Sequence, residues 1–313
     1  MRAARGPRAR RAVSGRPAMV RAGAQPAGAA SARSGDLAAA LEAYRDHNFR
    51  RTPSRRISGE AAALAFIEET GFCAAFTAGL GLPCLREAIE GRREPPLPEH
   101  IQHDRAIMMT WNLKDALPAR KAVYYGKAIA GRPGFIAPAI LPAFLRLRVA
   151  PGGYRRLYAR GRLSHCAKLV MDALTRRGAA ETLALKLASG RAQPKMRAEF
   201  DRAMKELQEK FLALKVAERY DPFTYVWDTM ERRWADAIRA ARALSPAAAA
   251  LAITRRYFEI AGYGAERAIA RMLAIDPALV DRAAARLERE GAIVRNRRVS
   301  GIRETVAILA RLA

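Results

Sequence analysis

Residues Leu163 to Met230 read LSHCAKLVMDALTRRGAAETLALKLASGRAQPKMRAEFDRAMKELQEKFLALKVAERYDPFTYVWDTM, and the order of their signals decides the fold. Leu163, Cys166, Leu169, Val170, Ala173 and Leu174 recur at helical spacing and stop at Gly178. A short second helix is predicted over Glu181 to Ala188, closed by Ser189-Gly190. The third, from about Lys195 to Lys210, turns Met196, Phe200, Ala203, Leu207 and Phe211 inward. Leu212 to Ala217 and Phe223 to Trp227 then alternate as two strands around Asp221-Pro222. Three helices followed by a hairpin is the order of a winged helix, whose third helix can enter a major groove while the hairpin touches the backbone.

The C-terminal segment repeats the arrangement. Ser245-Pro246 opens a helix through Ile260 that ends at Gly262, Ala265 to Leu273 is a second, and Asp276-Pro277 caps a third that ends at Gly291. Ala292 to Arg295 and Glu304 to Leu309 read as another wing, with Arg295, Arg297 and Arg298 at its tip. Upstream, a helix over Asp36 to Phe49 carries Leu37, Leu41 and Tyr44 on one side. A basic linker, Arg50 to Arg56, leads to a helix capped by Ser58 and closed by Gly71, and Leu85 to Glu90 forms another before the Pro-rich loop Arg92 to Pro98. The expected fold is mainly α with small β hairpins, of α+β class, built as tandem winged-helix units. A first helical, winged-helix-like unit is placed at 34–110, a basic aromatic connecting segment at 111–162, and further winged helices at 163–232 and 233–313. Residues 1–33 hold eight Arg and no acid, without apolar periodicity, and are expected to be disordered. A basic arm, a transit-like leader and a start codon upstream of the true one, at Met19 or later, are the competing accounts of them.

Composition narrows the partner. The 313 residues carry a formal net charge of +26, and the remainder stays at +18 without the eight N-terminal arginines. Such a balance favours nucleic acid or an anionic membrane surface over a neutral small molecule. No run of about eighteen apolar residues is present, so no membrane span is expected. Cys73, Cys84 and Cys166 form no CxxC and read as reduced core thiols of a cytoplasmic, nucleoid-associated protein. His47, His100, His103 and His165 complete no structural metal spacing, and neither metal nor cofactor is expected.

The charge is densest between Trp111 and Arg162, where eleven Lys or Arg and seven aromatics surround a single acid, Asp115. Cations neutralise phosphates and release counterions, while rings stack on unpaired bases. Lys114, Arg120, Lys121, Lys127 and Arg132 are therefore assigned to phosphates, and Trp111, Tyr124 or Tyr125 to stacking or wedging. Trp111, Tyr124, Phe135 and Phe144 also have the plain reading of core aromatics. Arg197, Arg202 and Lys205 are candidate contacts on the third helix of the 163–232 unit, diluted by Glu199, Asp201, Glu206 and Glu209. Just upstream, Glu99, His100, His103 and Asp104 form the densest titratable set.

The strings Phe66-Ile-Glu-Glu-Thr-Gly-Phe-Cys73, Leu82-Pro83, His103-Asp104, Thr110-Trp-Asn-Leu-Lys-Asp115, Leu117-Pro118, Tyr124-Tyr-Gly-Lys127 and Phe223-Thr-Tyr-Val-Trp227 resemble a bacterial branch related to the AlkZ-like winged-helix DNA glycosylases of crosslink repair. The resemblance covers nearly everything after about residue 55 and implies tandem winged helices around a basic, DNA-binding concavity. Glycosylases of the family position water with Gln-x-Gln or Gln-x-Asp; Gln102-His103-Asp104 has the second spacing, whereas Gln25, Gln193 and Gln208 fit neither. Glu68 or Glu69 stands in roughly that place. A carboxylate can orient water and stabilise an oxocarbenium-like sugar, so Glu68 or Glu69 with His103 and Asp104 are the candidate water-handling groups. A lost active site and acids that merely pair with neighbouring arginines are the alternatives. The expected function is DNA binding, to duplex or damaged DNA, with a glycosylase-type hydrolase as the enzymatic form. A transcription regulator and a non-catalytic interaction scaffold are the competing classes, and the oligomeric state is left open.

Overall fold

One pattern of elements, a helix, a short strand, two helices and a hairpin, occurs three times along the chain. The computed structural model describes residues 34–313, so the segment 1–33, expected to be disordered, lies outside the described residues. After α1 (Ser34–Asn48), the first repeat runs α2 (Glu60–Thr70), β1 (Phe72–Ala74), α3 (Leu85–Glu90), α4 (Arg105–Ala119), β2 (Tyr124–Ile129) and β3 (Arg132–Ile136). Helices α5 (Leu141–Arg148) and α6 (Gly153–Ala159) lead to the second: α7 (His165–Arg177), β4 (Ala180–Glu181), α8 (Thr182–Ala188), α9 (Arg197–Glu209), β5 (Ala213–Tyr220) and β6 (Phe223–Thr229). Helices α10 (Met230–Arg233) and α11 (Ala235–Ala243) precede the third: α12 (Pro246–Ala261), β7 (Tyr263–Gly264), α13 (Glu266–Leu273), α14 (Pro277–Arg289), β8 (Ile293–Arg297) and β9 (Val306–Leu309). Each repeat closes a small antiparallel sheet whose last strand lies in the middle, in the orders β1-β3-β2, β4-β6-β5 and β7-β9-β8. The architecture is of α+β class, mainly helical with small sheets.

Local chemistry sets the boundaries. The hydroxyls of Ser164 and Ser245 accept from the amides of Ala167 and Ala248, and the carboxylate of Asp276 accepts from Ala278, so α7, α12 and α14 each begin on a satisfied cap. Helix α2 departs from the reading. Its cap position is Gly59, without a side-chain bond, and Ser58 stands outside. Gly262 closes α12 at φ +76, and a β-carbon there would lie 2.7 Å from the ring of Tyr44, so both conformation and space require glycine.

The stretch 111–162 is not a connecting segment, and the first repeat does not end at 110. Helix α4 crosses that boundary, and β2 and β3 pair with β1 to complete the first sheet. On β2 the side bearing Tyr124, Gly126 and Ala128 is buried while Tyr125 and Lys127 are half-buried. Alternation over so few residues, interrupted by lysine, reads as basic surface when burial is unknown. Helix α1 also departs from expectation, because it docks on the third repeat. Leu41 is buried among Tyr263, Val299, Val306 and Ile308. Tyr44 Oη donates to Glu259 O at 2.6 Å, Arg45 to Ala261 O at 3.0 Å and Tyr263 O at 2.7 Å, and Asn48 to Ile260 O at 3.3 Å, which satisfies carbonyls at the end of α12.

The first and second repeats keep local cores, around Phe66, Leu113 and Phe135 and around Val170, Phe200 and Leu207. A larger core joins all three through Phe72, Tyr124, Phe144, Phe211, Met230, Trp234 and Phe258. At its centre the guanidinium of Arg148, from the last turn of α5, donates to one carbonyl of each repeat. These are Ala128 O at 3.1 Å in β2, Glu209 O at 2.5 Å ending α9, and Leu273 O at 3.1 Å ending α13. The ring of Phe211 lies 5.4 Å away and stacks on Tyr124 at 5.0 Å. Burial pulls the Arg148 guanidinium below its ordinary pKa, and its forked donors are matched to the carbonyls that surround it. Replacing it by Met keeps the volume and orphans three acceptors. At roughly 1–3 kcal/mol for each unsatisfied buried group, Arg148→Met is expected to lower unfolding stability by about 3 kcal/mol or more. Urea denaturation checks this, and a loss under about 1 kcal/mol would mean that the carbonyls find other partners.

Candidate active site

Trp111, Lys114 and Asp115 stand at i, i+3 and i+4, which places them along one face of α4. That face meets β5 of the second repeat. Lys215 and Glu218 are three apart and would normally point to opposite sides of a strand. A register shift between Lys215 and Ala217 inserts Val216 as an extra residue, so Lys215, Glu218 and Tyr220 reach the same group. Lys114 Nζ lies 2.9 Å from Asp115 Oδ1 and 2.6 Å from Glu218 Oε1. Lys215 Nζ lies 2.7 Å from Asp115 Oδ1 and also bonds Glu218 Oε1. Two ammonium groups thus share the same two carboxylate oxygens. Tyr220 Oη donates to Asp115 Oδ2 at 2.8 Å.

Burial grades across the cluster. The Glu218 side chain is 1 % exposed, that of Lys215 10 % and that of Asp115 19 %, so the group opens on the Asp115 side. Desolvation alone would raise the Asp115 carboxyl. Hydrogen bonds from Lys215, Lys114 and Tyr220 more than reverse this and hold it below the ordinary carboxylate range. The lysines separate despite their common partners. Burial lowers both, but bonds to Glu218 and Asp115 carry Lys114 above its ordinary value, whereas burial, reinforced by repulsion from Lys114, leaves Lys215 below. Aromatic rings enclose the charges. Lys114 Nζ is 4.1 Å from the Trp111 ring centroid, and Lys215 Nζ is 5.4 Å from Tyr125 and 5.3 Å from Tyr225. Trp111 is partly exposed, and at the hairpin tip Tyr220 is 63 % and Phe223 54 % exposed. An ionised carboxylate beside a desolvated amine, flanked by exposed rings, can bind a polar reactant and move a proton.

The residues expected from sequence divide sharply. Lys114 is buried in the ion cluster and is not a phosphate contact, because its ammonium is already bound by two carboxylates. Tyr124 is fully buried against Phe211 and cannot stack on a base, and Tyr125 is half-buried against Phe135. Trp111 remains available beside Phe76. Lys121 and Arg132 are exposed and Lys127 half-buried, while Arg120 pairs with Glu60. Glu68 is exposed at the end of α2, and Glu69 pairs with Arg50 at 2.7 Å. His103 packs edge-on against His100, and Asp104 caps α4 by accepting from the Ile107 amide at 2.7 Å. The four water-handling candidates thus have separate partners and no hydrogen bond joins one pair to the other. On α9, Arg197 and Lys205 face Asp201 and Glu209 at 3.7 Å each, and Arg202 is exposed. Arg297 and Arg298 are exposed, whereas Arg295 is held by Glu266 and Asp281 and is not at the tip of a free wing. Asp115, Lys215, Glu218 and Tyr220 were not among the expected site residues. The lone acid within the basic stretch was the available signal.

Residues 57–274 match the family described as AlkZ related. The chain belongs to the AlkZ-related family. The match takes in both α4 and the β5–β6 hairpin, and therefore the whole cluster, and stops within the third repeat. No curated protein matches the chain in sequence. Among solved structures, the Streptomyces sahachiroi DNA glycosylase AlkZ superposes with a TM-score of 0.54 at 13 % identity, covering 87 % of this chain and 69 % of that one. At that identity the likeness is one of fold. Among the described residues no helix is long and apolar enough to cross a membrane, and no group of three or more His, Cys, Asp or Glu is placed to hold a metal ion.

Two stability measurements follow for this AlkZ-related chain. The Tyr124 hydroxyl is buried without a partner, so Tyr124→Phe should leave unfolding stability unchanged or raise it, and a loss above about 1 kcal/mol would contradict that placement. The depressed Asp115 carboxyl binds fewer protons folded than unfolded. Its stabilisation is complete above the unfolded value of about 3.9 and is lost as pH falls through the lower folded value. Asp115→Asn should flatten that acid limb in a pH series of denaturation curves, and an unaltered limb would contradict the assignment.

Proposed function

We propose that this chain is a DNA-binding repair protein that acts like a glycosylase on damaged duplexes, and that its three repeats are winged helices. The observation that carries the reading is the Asp115–Lys215 cluster, which is flanked by the exposed rings of Trp111 on one repeat and of Tyr220 and Phe223 on another. An enzyme acting on a base must take it out of the stack, and exposed rings beside an ionised acid suit a nucleotide extruded from its partner. Family membership, a fold like that of a DNA glycosylase and a net charge of +26 support the same reading. Of the cations expected from sequence, the exposed Lys121, Arg132, Arg202, Arg297 and Arg298 remain available for phosphates.

In this account Asp115 takes the part assigned from sequence to Glu68 or Glu69. Its carboxylate stabilises the positive charge that develops on the sugar as a base made cationic by alkylation leaves as the neutral molecule, and orients the water that adds to C1′, whose proton it accepts. Tyr220, bonded to Asp115, fixes the carboxylate's direction.

The test is salt-titrated fluorescence anisotropy on intact, abasic and alkylated or crosslinked duplexes, with base release followed in the same samples. The expected result is salt-sensitive preference for damaged DNA, with release lost in Asp115→Asn and binding kept. Exchanging both Lys121 and Arg132 for Ala should reduce the slope of log K against log salt by about 2, near 0.9 for each phosphate contact. Binding to one operator sequence without release would favour a regulator, and no binding at physiological salt would sink the DNA reading.

A further inference from the structure

We propose that Lys215 is an amine nucleophile that condenses with the aldehyde of an abasic sugar, giving the chain a lyase activity at base-less sites. The substrate rests on the DNA reading above. The chemistry rests on the cluster itself, which contains more than hydrolysis requires. One carboxylate and a water suffice to break a glycosidic bond, yet the structure places a second carboxylate and two lysines on the same two oxygens.

Amines become nucleophiles when they are desolvated and placed beside another cation, since both favour the neutral form. Lys215 meets both conditions. Its side chain is 10 % exposed, it lies between the rings of Tyr125 and Tyr225, and Lys114 shares its acceptors. The groups facing it are Lys114 and Asp115 from α4, Glu218 and Tyr220 from β5, Tyr225 from β6 and Tyr125 from β2. Their net effect is to lower its pKa. Lys114 then serves as the permanent cation that keeps Glu218 and Asp115 compensated after Lys215 has lost its proton. The bulge at Val216 is what brings Lys215 into this position.

The steps balance with the groups present. Lys215 passes a proton to Glu218, and its nitrogen lone pair attacks the C1′ carbonyl. The carbinolamine hydroxyl takes that proton back from Glu218 and leaves as water, which gives a protonated imine. Asp115 removes a proton from C2′, the electron pair shifts toward the iminium, and the C3′–O bond breaks with departure of the 3′ phosphate. Water then hydrolyses the unsaturated imine and returns the amine. No oxidant, reductant or metal is consumed.

The test is trapping of the imine with borohydride, which reduces it to a stable secondary amine on the full-length chain. One arm uses a duplex with a preformed abasic site and the other uses 2-deoxyribose 5-phosphate, so neither requires base release and the second requires no DNA binding. The expected result is a reduction-dependent adduct mapped by peptide mass spectrometry to Lys215 in both arms. It should appear at lower pH than adducts on exposed lysines and be accompanied by strand cleavage in the duplex arm. Lys215→Arg keeps a cation for Asp115 and Glu218 and should lose the adduct and the cleavage while retaining duplex affinity. A duplex that binds without forming an adduct on Lys215, or adducts confined to other amines, would overturn the proposal and leave the cluster as a clamp between helix and hairpin. An adduct on Lys215 from the sugar phosphate, with no binding to any duplex, would sustain the amine and overturn the DNA reading instead.

Discussion

The guanidinium of Arg148 ties the three repeats of this protein to one another. It ends a helix that belongs to none of the three repeats, yet it donates to the carbonyls of Ala128, Glu209 and Leu273, one from each. Carbonyls at the ends of helices and strands are obligatory acceptors, and burying three of them together demands several donors at one point. A forked cation meets that demand where a lysine's compact ammonium would not. The aromatic pair Tyr124 and Phe211 beside it then packs the first repeat against the second.

With the repeats held in that way, α4 and β5 are pressed together over four charged side chains. Desolvating ions is costly unless each finds a partner of good geometry, and here two cations and two carboxylates are matched. The balance is not symmetrical. Lys114 and Lys215 share oxygens but their pKa values move in opposite directions, which separates a group that stays charged from one that gives up its proton more readily.

Much of the fold was legible in the sequence, and the failures have physical causes. The second and third repeats follow periodicity, serine and aspartate caps and terminal glycines closely, because those signals are local. The first repeat was cut short at 110 because β2 is six residues long and carries a lysine and two tyrosines. The docking of α1 on the third repeat is a contact across more than two hundred residues, and no local signal encodes it. The site was harder still. Charge density singled out the stretch that carries Lys114 and Asp115 but assigned Lys114 to phosphates and Tyr124, with Trp111 or Tyr125, to stacking or wedging, since a sequence does not display which cations are already paired. Lys215 and Glu218 were hidden by the bulge, which breaks the two-residue alternation by which strand faces are read.

The proposed site lies where two repeats meet, rather than on the third helix of the second repeat. That helix, α9, carries its own compensating acids, Asp201 and Glu209, and presents little free positive charge. The most direct measurement is a crystal structure of the full chain with a duplex bearing a tetrahydrofuran abasic analogue. The furan ring is expected beside Asp115 and Lys215, with Trp111 and the Tyr220–Phe223 tip against the flanking bases. A duplex lying across another face, with Lys114, Asp115, Lys215 and Glu218 still paired only with one another, would contradict this placement.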